Sequence, residues 1–327
     1  MPMLRAWSSA RFTVPLPEGH RFPIAKYALV RDAIVRQGLL PPEAIEEPEA
    51  VSRADLALVH SADYLDATFG GCLTPEATRR LGLPWSQELL ERARRTAQGT
   101  LEAARDALAD GAGVNLAGGT HHAFGDRGEG FCVFNDVAVA IRVLRRDSLV
   151  RHVAIIDLDV HQGNGTARIF EGDEAVYTFS MHGDKNYPFH KERSSLDVGL
   201  PDGCDDPTYL AALARHLDGV LDAARPELVF YLAGADPYIG DRFGRLGLSF
   251  AGLRERDRMV FAACRARGLP VVMTIAGGYA REIGDIATIH CATFSELAAA
   301  YGRPSSARAR ADLWPAAAPA APDSAPA

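Results

Sequence analysis

Short apolar runs rich in β-branched residues recur along this chain, and helical stretches separate most of them. The runs cover residues 114–117, 153–156, 176–179, 228–232 and 271–275. The helical stretches cover residues 24–38, 87–109, 207–224 and 249–267, with Ser249 as an N-cap and Gly268 as a stop. Short buried strands that alternate with helices are typical of an α/β fold. We therefore predict a mainly parallel central sheet with helices on both faces.

Length and composition predict one large domain rather than two small ones. The chain has 327 residues, of which 47% are hydrophobic, and this is enough for a sizeable single core. We expect residues 1–303 to form that domain. Residues 304–327 are rich in Ala and Pro and have little to bury, so we expect them to form a disordered tail.

Charge and cysteine usage exclude several functional classes. The formal net charge is -7 and no basic tract is present, which argues against direct nucleic-acid binding. The five cysteines are scattered and form no C-x-x-C pair, which is typical of a reducing compartment. The N-terminus lacks the apolar region of a signal peptide, and no apolar run approaches the roughly 20 residues of a membrane span. We therefore expect a cytoplasmic protein without a membrane span.

The segment after the run at 153–156 carries three metal-binding side chains at alternating positions, namely Asp157, Asp159 and His161. In an extended chain these three side chains point to one side. Two carboxylates and an imidazole in a partly buried crevice are costly unless a cation neutralises them. Mixed Asp and His ligands suit zinc. A salt-bridged strand end is the ordinary alternative, but the ligand spacing favours a metal site.

Three other apolar runs also end in polar side chains. His121 and His122 follow the run at 114–117, Asp236 follows the run at 228–232, and Tyr279 follows the run at 271–275. Each cluster taken singly is more often an ordinary loop or turn. Ligands bind at the carboxyl ends of parallel strands, so four such clusters at one sheet edge favour a single site.

The chemistry of these side chains is that of metal-assisted amide hydrolysis. Asp159, His161 and Asp236 supply three ligands and leave positions open for water and a substrate carbonyl. A histidine can take the proton of the water and return it to the leaving amine. The Tyr279 hydroxyl can donate a hydrogen bond to the oxyanion.

The combined motifs resemble the zinc-dependent histone deacetylases, a family that includes bacterial acetylpolyamine amidohydrolases and acetoin-utilisation proteins. The matching segments are Gly118-Gly-Thr-His-His-Ala123, Gly130-Phe-Cys-Val-Phe-Asn-Asp136, Asp157-Leu-Asp-Val-His161, Gly234-Ala-Asp236, Leu246-Gly-Leu-Ser249 and Gly277-Gly-Tyr279. The resemblance extends from about Gly19 to about Tyr301 and implies a single-domain arginase–deacetylase fold, so residues 1–303 would be a deacetylase-like catalytic domain. The segment from His20 to Tyr27, the Asn186-Tyr-Pro188 string and Asn164 resemble the class IV branch of that family.

The resemblance also implies two ions. Zinc would be bound by Asp159, His161 and Asp236, with iron(II) as the alternative metal. A structural potassium ion near the zinc would be held by Asp157, Asp159, His161, Ser180 and Met181.

The remaining implied roles are catalytic or belong to the substrate channel. His122 would be the general acid and base of the tandem pair, Asp157 would pair with His121, and Tyr279 would be the oxyanion donor. Asn164 would orient His122, Gly130 and Phe131 would form a channel wall, Tyr187 would line the channel, and Lys26 would lie near its inner end. Because some class IV members prefer long acyl chains, the resemblance favours chains longer than acetyl, although the charge of Lys26 argues against a long chain.

Three departures from the family pattern affect these implications. Asn164 occupies a position where many members carry a second Asp, and an amide cannot stabilise an imidazolium as a carboxylate would. Ala276 replaces one glycine of the run before Tyr279 and would stiffen that loop. Residues 182–206 do not align with most of the family, so the role of Tyr187 rests on its position alone.

Other functions remain open at this point. A ureohydrolase with two manganese ions shares the fold, but the Asp-Leu-Asp-Val-His order and the Gly-Gly-Tyr end suit one zinc ion and a phenol. A non-catalytic module that binds acyl-lysine or a small molecule is the alternative from another class. The expected partner is an acylated amine: an acyl-lysine protein, an acetylpolyamine or a small amide.

Overall fold

The computed structural model describes residues 4–302, so the predicted tail at 304–327 lies outside the described residues. The strands are β1 (Ala6–Trp7), β2 (Ile45–Glu46), β3 (Ala112–Asn115), β4 (Val153–Asp157), β5 (Val176–Gly183), β6 (Leu196–Leu200), β7 (Leu228–Leu232) and β8 (Val271–Thr274). They form one sheet in the order β2-β1-β3-β8-β7-β4-β5-β6, and every neighbouring pair is parallel. The predicted parallel sheet is therefore confirmed.

Ten α-helices surround the sheet within the described part of the chain. They are α1 (Lys26–Arg36), α2 (Arg53–Leu56), α3 (Ala62–Phe69), α4 (Pro75–Leu81), α5 (Gln87–Asp110), α6 (Asp136–Arg146), α7 (Asn164–Ile169), α8 (Asp206–Ala224), α9 (Phe250–Ala266) and α10 (Ile283–Tyr301). The four predicted helices correspond to α1, α5, α8 and α9. Ser249 caps α9 as predicted, because its side chain accepts a hydrogen bond from the Gly252 N–H.

The core has two layers, one on each face of the sheet. Strand side chains alternate between the faces, so Ala154 and Ile156 of β4 lie in one layer and Val153 and Ile155 lie in the other. Helices α1, α8, α9 and α10 cover the first layer, and helices α5 and α6 cover the second. Both faces of the central strands are buried, which explains why their sequences are continuous apolar runs.

Two differences from the sequence prediction have physical causes. Strand β3 begins and ends two residues before the predicted run at 114–117, because Ala112 already pairs with Val271 of β8. The short strands β1 and β2 and the edge strand β6 were missed. Strand β6 is half exposed and lacks a continuous apolar run, so its sequence gives only a weak signal.

Four strands at the centre of the sheet end beside one another and carry the predicted site. These strands are β3, β8, β7 and β4, in that order across the sheet. Because all four are parallel, the loops that follow them meet at one edge. The polar clusters found in the sequence therefore lie in adjacent loops of the fold.

Candidate metal and catalytic centre

The three predicted metal ligands converge at the ends of β4 and β7. Suitable ligand atoms of Asp159, His161 and Asp236 lie within 4.8 Å of one another, and all three side chains are buried. The His161 Nδ1 atom is 3.0 Å from Asp159 Oδ1 and 3.3 Å from Asp236 Oδ2. Two carboxylates and one imidazole thus face a common point, as a divalent cation requires.

The electrostatics of this cluster favour a positive charge at that point. Burial lowers the pKa of His161, but the hydrogen bonds and charges of Asp159 and Asp236 outweigh it and raise the pKa to about 10. Burial and the neighbouring carboxylate raise the pKa of Asp236 to about 6. No group among residues 4–302 donates a hydrogen bond to the buried Asp236 Oδ2 atom, although His161 Nδ1 lies 3.3 Å away. An orphaned carboxylate oxygen beside a strongly basic imidazole fits a metal ligand set.

The loop after β8 closes over the ligands. The Gly277 N–H donates a hydrogen bond to Asp159 Oδ2 at 2.7 Å. A Cβ atom at Gly277 would lie 2.0 Å from Asp236 Oδ2 and 2.5 Å from Asp159 Oδ2. Only glycine fits here, so the Gly-Gly-Tyr motif shapes the ligand pocket besides presenting Tyr279.

A buried arginine that sequence analysis missed holds the two ligand loops together. Arg256 lies in α9 and is fully buried. Its Nη1 atom donates to the carbonyl oxygens of Leu158 and Gly234 at 3.2 and 2.7 Å. Its charge is balanced by Asp257 at 2.8 Å. Because Leu158 precedes Asp159 and Gly234 lies close to Asp236, Arg256 fixes the spacing between the metal ligands.

The tandem histidines have different partners and opposite pKa shifts. The His121 Nδ1 atom is 2.7 Å from Asp157 Oδ2, and the His122 Nδ1 atom is 2.7 Å from Asn164 Oδ1. Burial lowers the pKa of His121, but the carboxylates outweigh it and raise the pKa to about 9. Burial and the nearby His121 and His161 lower the pKa of His122 well below its ordinary value. Environments that separate two pKa values in this way define a charged and a neutral histidine.

The sequence analysis also missed Glu129, whose carboxylate contacts the side-chain amide of Asn164. Its Oε1 atom accepts hydrogen bonds from Asn164 Nδ2 at 3.1 Å and from the Tyr187 hydroxyl at 2.5 Å. These contacts orient the amide so that Asn164 Oδ1 faces His122 and accepts its Nδ1 proton. Many family members are expected to carry a carboxylate directly beside this histidine. Here the carboxylate of Glu129 contacts Asn164, and Asn164 contacts His122. The only signal in the sequence is that Glu129 directly precedes the Gly130-Phe131 motif.

Tyr279 is held at the other side of the metal ligands. Its backbone N–H donates to Asp241 Oδ2 at 2.6 Å, and its ring centroid lies 6.3 Å from that of His161. Burial and the charges of Asp236 and Asp159 raise the pKa of its hydroxyl well above the ordinary value. The phenol therefore stays protonated and able to donate a hydrogen bond.

The loop before Tyr279 is strained, in line with the expectation that Ala276 stiffens it. Ala276 has φ 47°, a left-handed conformation that is uncommon for a residue with a Cβ atom. The buried Lys26 Nζ atom donates to the Ala276 carbonyl at 3.0 Å and lies 5.3 Å from the Tyr279 ring centroid. Lys26 thus holds this loop in place and lies at the inner end of the site, where it was predicted.

Whereas Lys26 lines a smaller inner cavity, three of the four predicted channel residues line a cavity of about 500 Å³ that leads from the surface to His161. Gly130, Phe131 and Tyr187 line its walls, and His122, His161 and Tyr279 line its base. A Cβ atom at Gly130 would lie 2.6 Å from His122 Cδ2, so glycine is required beside His122. The Tyr187 ring packs edge-on against His122 at 5.0 Å between centroids.

A second, smaller cavity lies further inside. It has a volume of about 40 Å³ and is lined by Phe22, Lys26 and Tyr27, by the Gly118–Gly119 turn, and by the side chains of His121, His122, Asp159, His161 and Tyr279. A cavity needs roughly 10–15 Å³ to hold one water, so this space holds about three.

Three of the five residues predicted for potassium lie side by side. Asp157 of β4 is the register partner of Ser180 in β5, and Met181 follows Ser180. The Ser180 Oγ atom lies 2.9 Å from His182 Nδ1. The structure thus brings candidate ligands together, and the potassium site stays a prediction.

Comparison with known proteins identifies the family. Residues 20–294 match the model of the histone deacetylase domain. An uncharacterized protein of Picosynechococcus sp. is 47% identical over 85% of this chain and 93% of its own length. Histone deacetylase 2 of Arabidopsis thaliana is 35% identical over 81% of this chain and 72% of its own length. The chain therefore belongs to the histone deacetylase family.

The fold comparison agrees with this conclusion. The crystal structure of the HDA15 HD domain superposes with a TM-score of 0.77, covering 95% of this chain and 93% of that one at 22% identity. The predicted single-domain arginase–deacetylase fold is confirmed. No helix within residues 4–302 is both long and apolar enough to cross a membrane.

Proposed function

We propose that this protein is a metal-dependent amidohydrolase that removes an acyl group from an amine such as acyl-lysine. The observation that carries the proposal is that Asp159, His161, His122 and Tyr279 line one cavity. Bound zinc, with iron(II) as the alternative, would polarise the scissile carbonyl and lower the pKa of a water towards about 7. The ligands Asp159, His161 and Asp236 would hold that ion.

His122 acts as the general base and then as the general acid. Its Nδ1 proton is held by Asn164, so its Nε2 atom is free to accept a proton from the attacking water. Its lowered pKa keeps it neutral before the reaction. After proton transfer, the same Nε2–H donates to the leaving amine. His121, charged and paired with Asp157, holds the acidic cluster in place and is not the base.

Tyr279 stabilises the oxyanion. A protonated phenol donates to an oxygen more strongly as that oxygen gains charge, so the interaction favours the transition state over the ground state. Its backbone is fixed by Asp241 and by the neighbouring loop that Lys26 holds. The hydroxyl therefore needs little reorganisation during the reaction.

The inner cavity supports a short acyl group. A cavity of about 40 Å³ suits the methyl group of an acetyl better than an alkyl chain of eight or more carbons. The fully buried Lys26 also bounds this space. The expectation of chains longer than acetyl thus loses support, and we propose acetyl as the preferred acyl group.

The alternative functions have less support. A two-manganese ureohydrolase needs a second ligand cluster, whereas residues 4–302 contain one group of three ligands and Asp157 faces His121. A non-catalytic binding module would not require the metal ligands, His122 and Tyr279 together. A small amide or an acetylpolyamine remains an alternative substrate for the same chemistry.

The structural potassium ion is part of the proposal. Asp157, Asp159, His161, Ser180 and Met181 would hold it. The proximity of Asp157 and Ser180 across β4 and β5 supports this assignment.

The proposal is tested with the purified zinc form and a fluorogenic acetyl-lysine amide, with and without a chelator. We expect turnover that the chelator abolishes and that added zinc restores. Octanoyl- and myristoyl-lysine amides in the same assay test the acyl preference. A fully metal-loaded protein that hydrolyses none of these amides would refute the acyl-lysine substrate, and failure on acetylpolyamines and small amides as well would refute the amidohydrolase function.

A further inference from the structure

The mouth of the large cavity is strongly basic, although the whole chain is acidic. Six exposed cations line it: Arg21, Arg79, Arg80, Lys185, Arg242 and Arg245. No Asp or Glu side chain is among the residues that line this cavity. The formal net charge of the chain is -7. A positive rim on a negative protein therefore distinguishes this mouth from the rest of the surface.

The charges of this basic rim are largely uncompensated. Within the described part of the chain, only Arg80 and Arg245 have a carboxylate within 4.0 Å, namely Glu76 at 3.0 Å and Asp202 at 3.2 Å. Both pairs are exposed to solvent and stabilise little. Among residues 4–302, the other four rim cations form no ion pair. Arg242 Nε donates to the Tyr279 carbonyl at 3.0 Å, but the positive charges of all four remain uncompensated and can attract an anionic ligand.

The six rim cations are distributed around the mouth of the cavity and are not clustered on one side. They come from the segment before α1, from the last turn of α4, from the loop after β5 and from the loop after β7. An exposed aromatic ring accompanies them, because Phe189 is 82% exposed and packs edge-on against Tyr187. This spread suits an extended chain with several negative charges better than one small anion.

We propose that the substrate is an acyl-lysine within an acidic peptide segment, an inference that rests on the proposed deacylase function. The acyl group occupies the small inner cavity, so the amine side of the substrate leads outward through the channel. The residues that flank the acylated lysine then lie against the basic rim. Asp and Glu at these flanking positions are attracted, and Phe189 packs against their aliphatic neighbours.

The same rim disfavours cationic substrates. Acetylpolyamines and lysine-rich protein tails both bring positive charge to the mouth, where like charges repel. Nucleic acid is a polyanion that the rim alone would attract, but the net charge of -7 opposes a long anionic chain. A short acidic peptide carries fewer negative charges than nucleic acid, so the net charge opposes it less while the rim still attracts it.

The test compares three peptides that carry one acetyl-lysine flanked on both sides by Asp, by Ala or by Lys. At low salt we expect kcat/KM to be at least about tenfold higher for the Asp-flanked than for the Lys-flanked peptide, within the range of electrostatic steering. Salt at about 1 M shortens the screening length to about 3 Å and should remove most of this preference. Equal rates for the three peptides would overturn the proposal.

Charge-reversal variants test whether the rim cations cause the preference for the Asp-flanked peptide. Arg79→Glu and Lys185→Glu each change one unpaired rim cation, on α4 and on a loop respectively. Arg215→Glu, on an exposed position of α8 outside the cavity, is the matched control. We expect each rim variant to lower the Asp-to-Lys rate ratio about threefold or more and the control to change it less than twofold. An equal loss in the control would assign the preference to net charge and overturn the proposal.

A binding measurement separates this inference from the proposed function. Fluorescence anisotropy gives the affinity of a labelled Asp-flanked peptide for the zinc form, with an unlabelled single-stranded DNA as competitor. Peptide binding that Lys185→Glu weakens, without turnover of any peptide, would support the rim and refute the deacylase function. Turnover of the Ala-flanked peptide without preferential binding of the Asp-flanked peptide would refute the rim alone. DNA that binds more tightly than the peptide would assign the rim to nucleic acid instead.

Discussion

The hydrogen bond between Asn164 and Glu129 leads to a testable prediction about the pKa of His122. Asn164→Asp alone places a new carboxyl group beside His122, at an atom now 2.7 Å from its Nδ1. The same change also brings that carboxyl group against Glu129, whose Oε1 lies 3.1 Å from the present Asn164 Nδ2. Two carboxyl groups in such contact share one proton. The single variant therefore adds little net charge near His122.

The double variant Asn164→Asp/Glu129→Gln behaves differently, because it moves the negative charge directly onto the partner of His122. An opposite charge this close raises the pKa of a histidine by about 1–3 units. One unit corresponds to about 1.4 kcal/mol of preferential stabilisation of the imidazolium. The single variant should raise the pKa of His122 by clearly less. Glu129→Gln alone removes a negative charge and should lower it.

The assay is the pH dependence of kcat/KM for an acetyl-lysine amide. The base must be neutral, so a raised pKa of His122 moves the acidic limb of the profile to higher pH. We expect the double variant to show the largest upward shift, the single Asn164→Asp a smaller one, and Glu129→Gln a downward shift. Glu171→Gln, at an exposed carboxylate, is the control and should leave the limb in place. Zinc occupancy is measured at each pH so that metal loss is not mistaken for titration.

One result would refute this reasoning. If Asn164→Asp alone moves the acidic limb as far as the double variant does, Glu129 does not share charge with the residue at position 164. The assignment of Glu129 as the residue that positions Asn164 would then be wrong.

Three further predictions concern the metal, the phenol and the buried arginine. Asp159→Ala leaves two ligands, so elemental analysis should find the zinc lost, and full occupancy would contradict the ligand assignment. Tyr279→Phe should lower kcat roughly 10²-fold or more with zinc retained, and near wild-type turnover would mean that the hydroxyl is not an oxyanion donor. Arg256→Ala leaves the buried Asp257 with the hydroxyl donors Tyr231 and Thr293 but without its counter-charge, and should lower the free energy of unfolding by about 3–5 kcal/mol in denaturant titration. Arg258→Ala, at an exposed position of the same helix, should lower it by about 1 kcal/mol or less, and an equal loss in both variants would remove the special role of Arg256.

The sequence predicted the central strands and the positions of the site residues well, for a physical reason. Strands buried on both faces need continuous apolar runs, and such runs stand out in a sequence. In a parallel sheet their carboxyl ends share one edge, so His122, Asp159, Asp236 and Tyr279 could be placed near one another without coordinates. The metal ligands gave the clearest local signal, because two carboxylates and a histidine alternate within five residues.

The missed residues act through contacts that no local pattern encodes. Glu129 reaches Asn164 across 35 positions, and Arg256 reaches the carbonyl of Leu158 across 98. An arginine or glutamate that faces inward looks like any surface charge until tertiary structure buries it. The basic rim also could not be predicted from the sequence, because its cations come from four segments that are far apart in the chain. The short strands β1 and β2 form only because neighbouring strands supply their hydrogen bonds.

Because the Gly277 N–H holds Asp159, we expect metal binding to depend on the folding of β8 and of the loop that follows it. This contact joins residues 118 positions apart, and it involves the last strand of the sheet although all three ligands precede that strand. A chain that ends between Asp236 and β8 would contain all three ligands but would lack the N–H that holds Asp159. Tight zinc binding should therefore appear only once β8 has docked between β3 and β7. In a refolding experiment, zinc capture would thus follow sheet formation, and capture before sheet formation would show that the ligands organise without this contact.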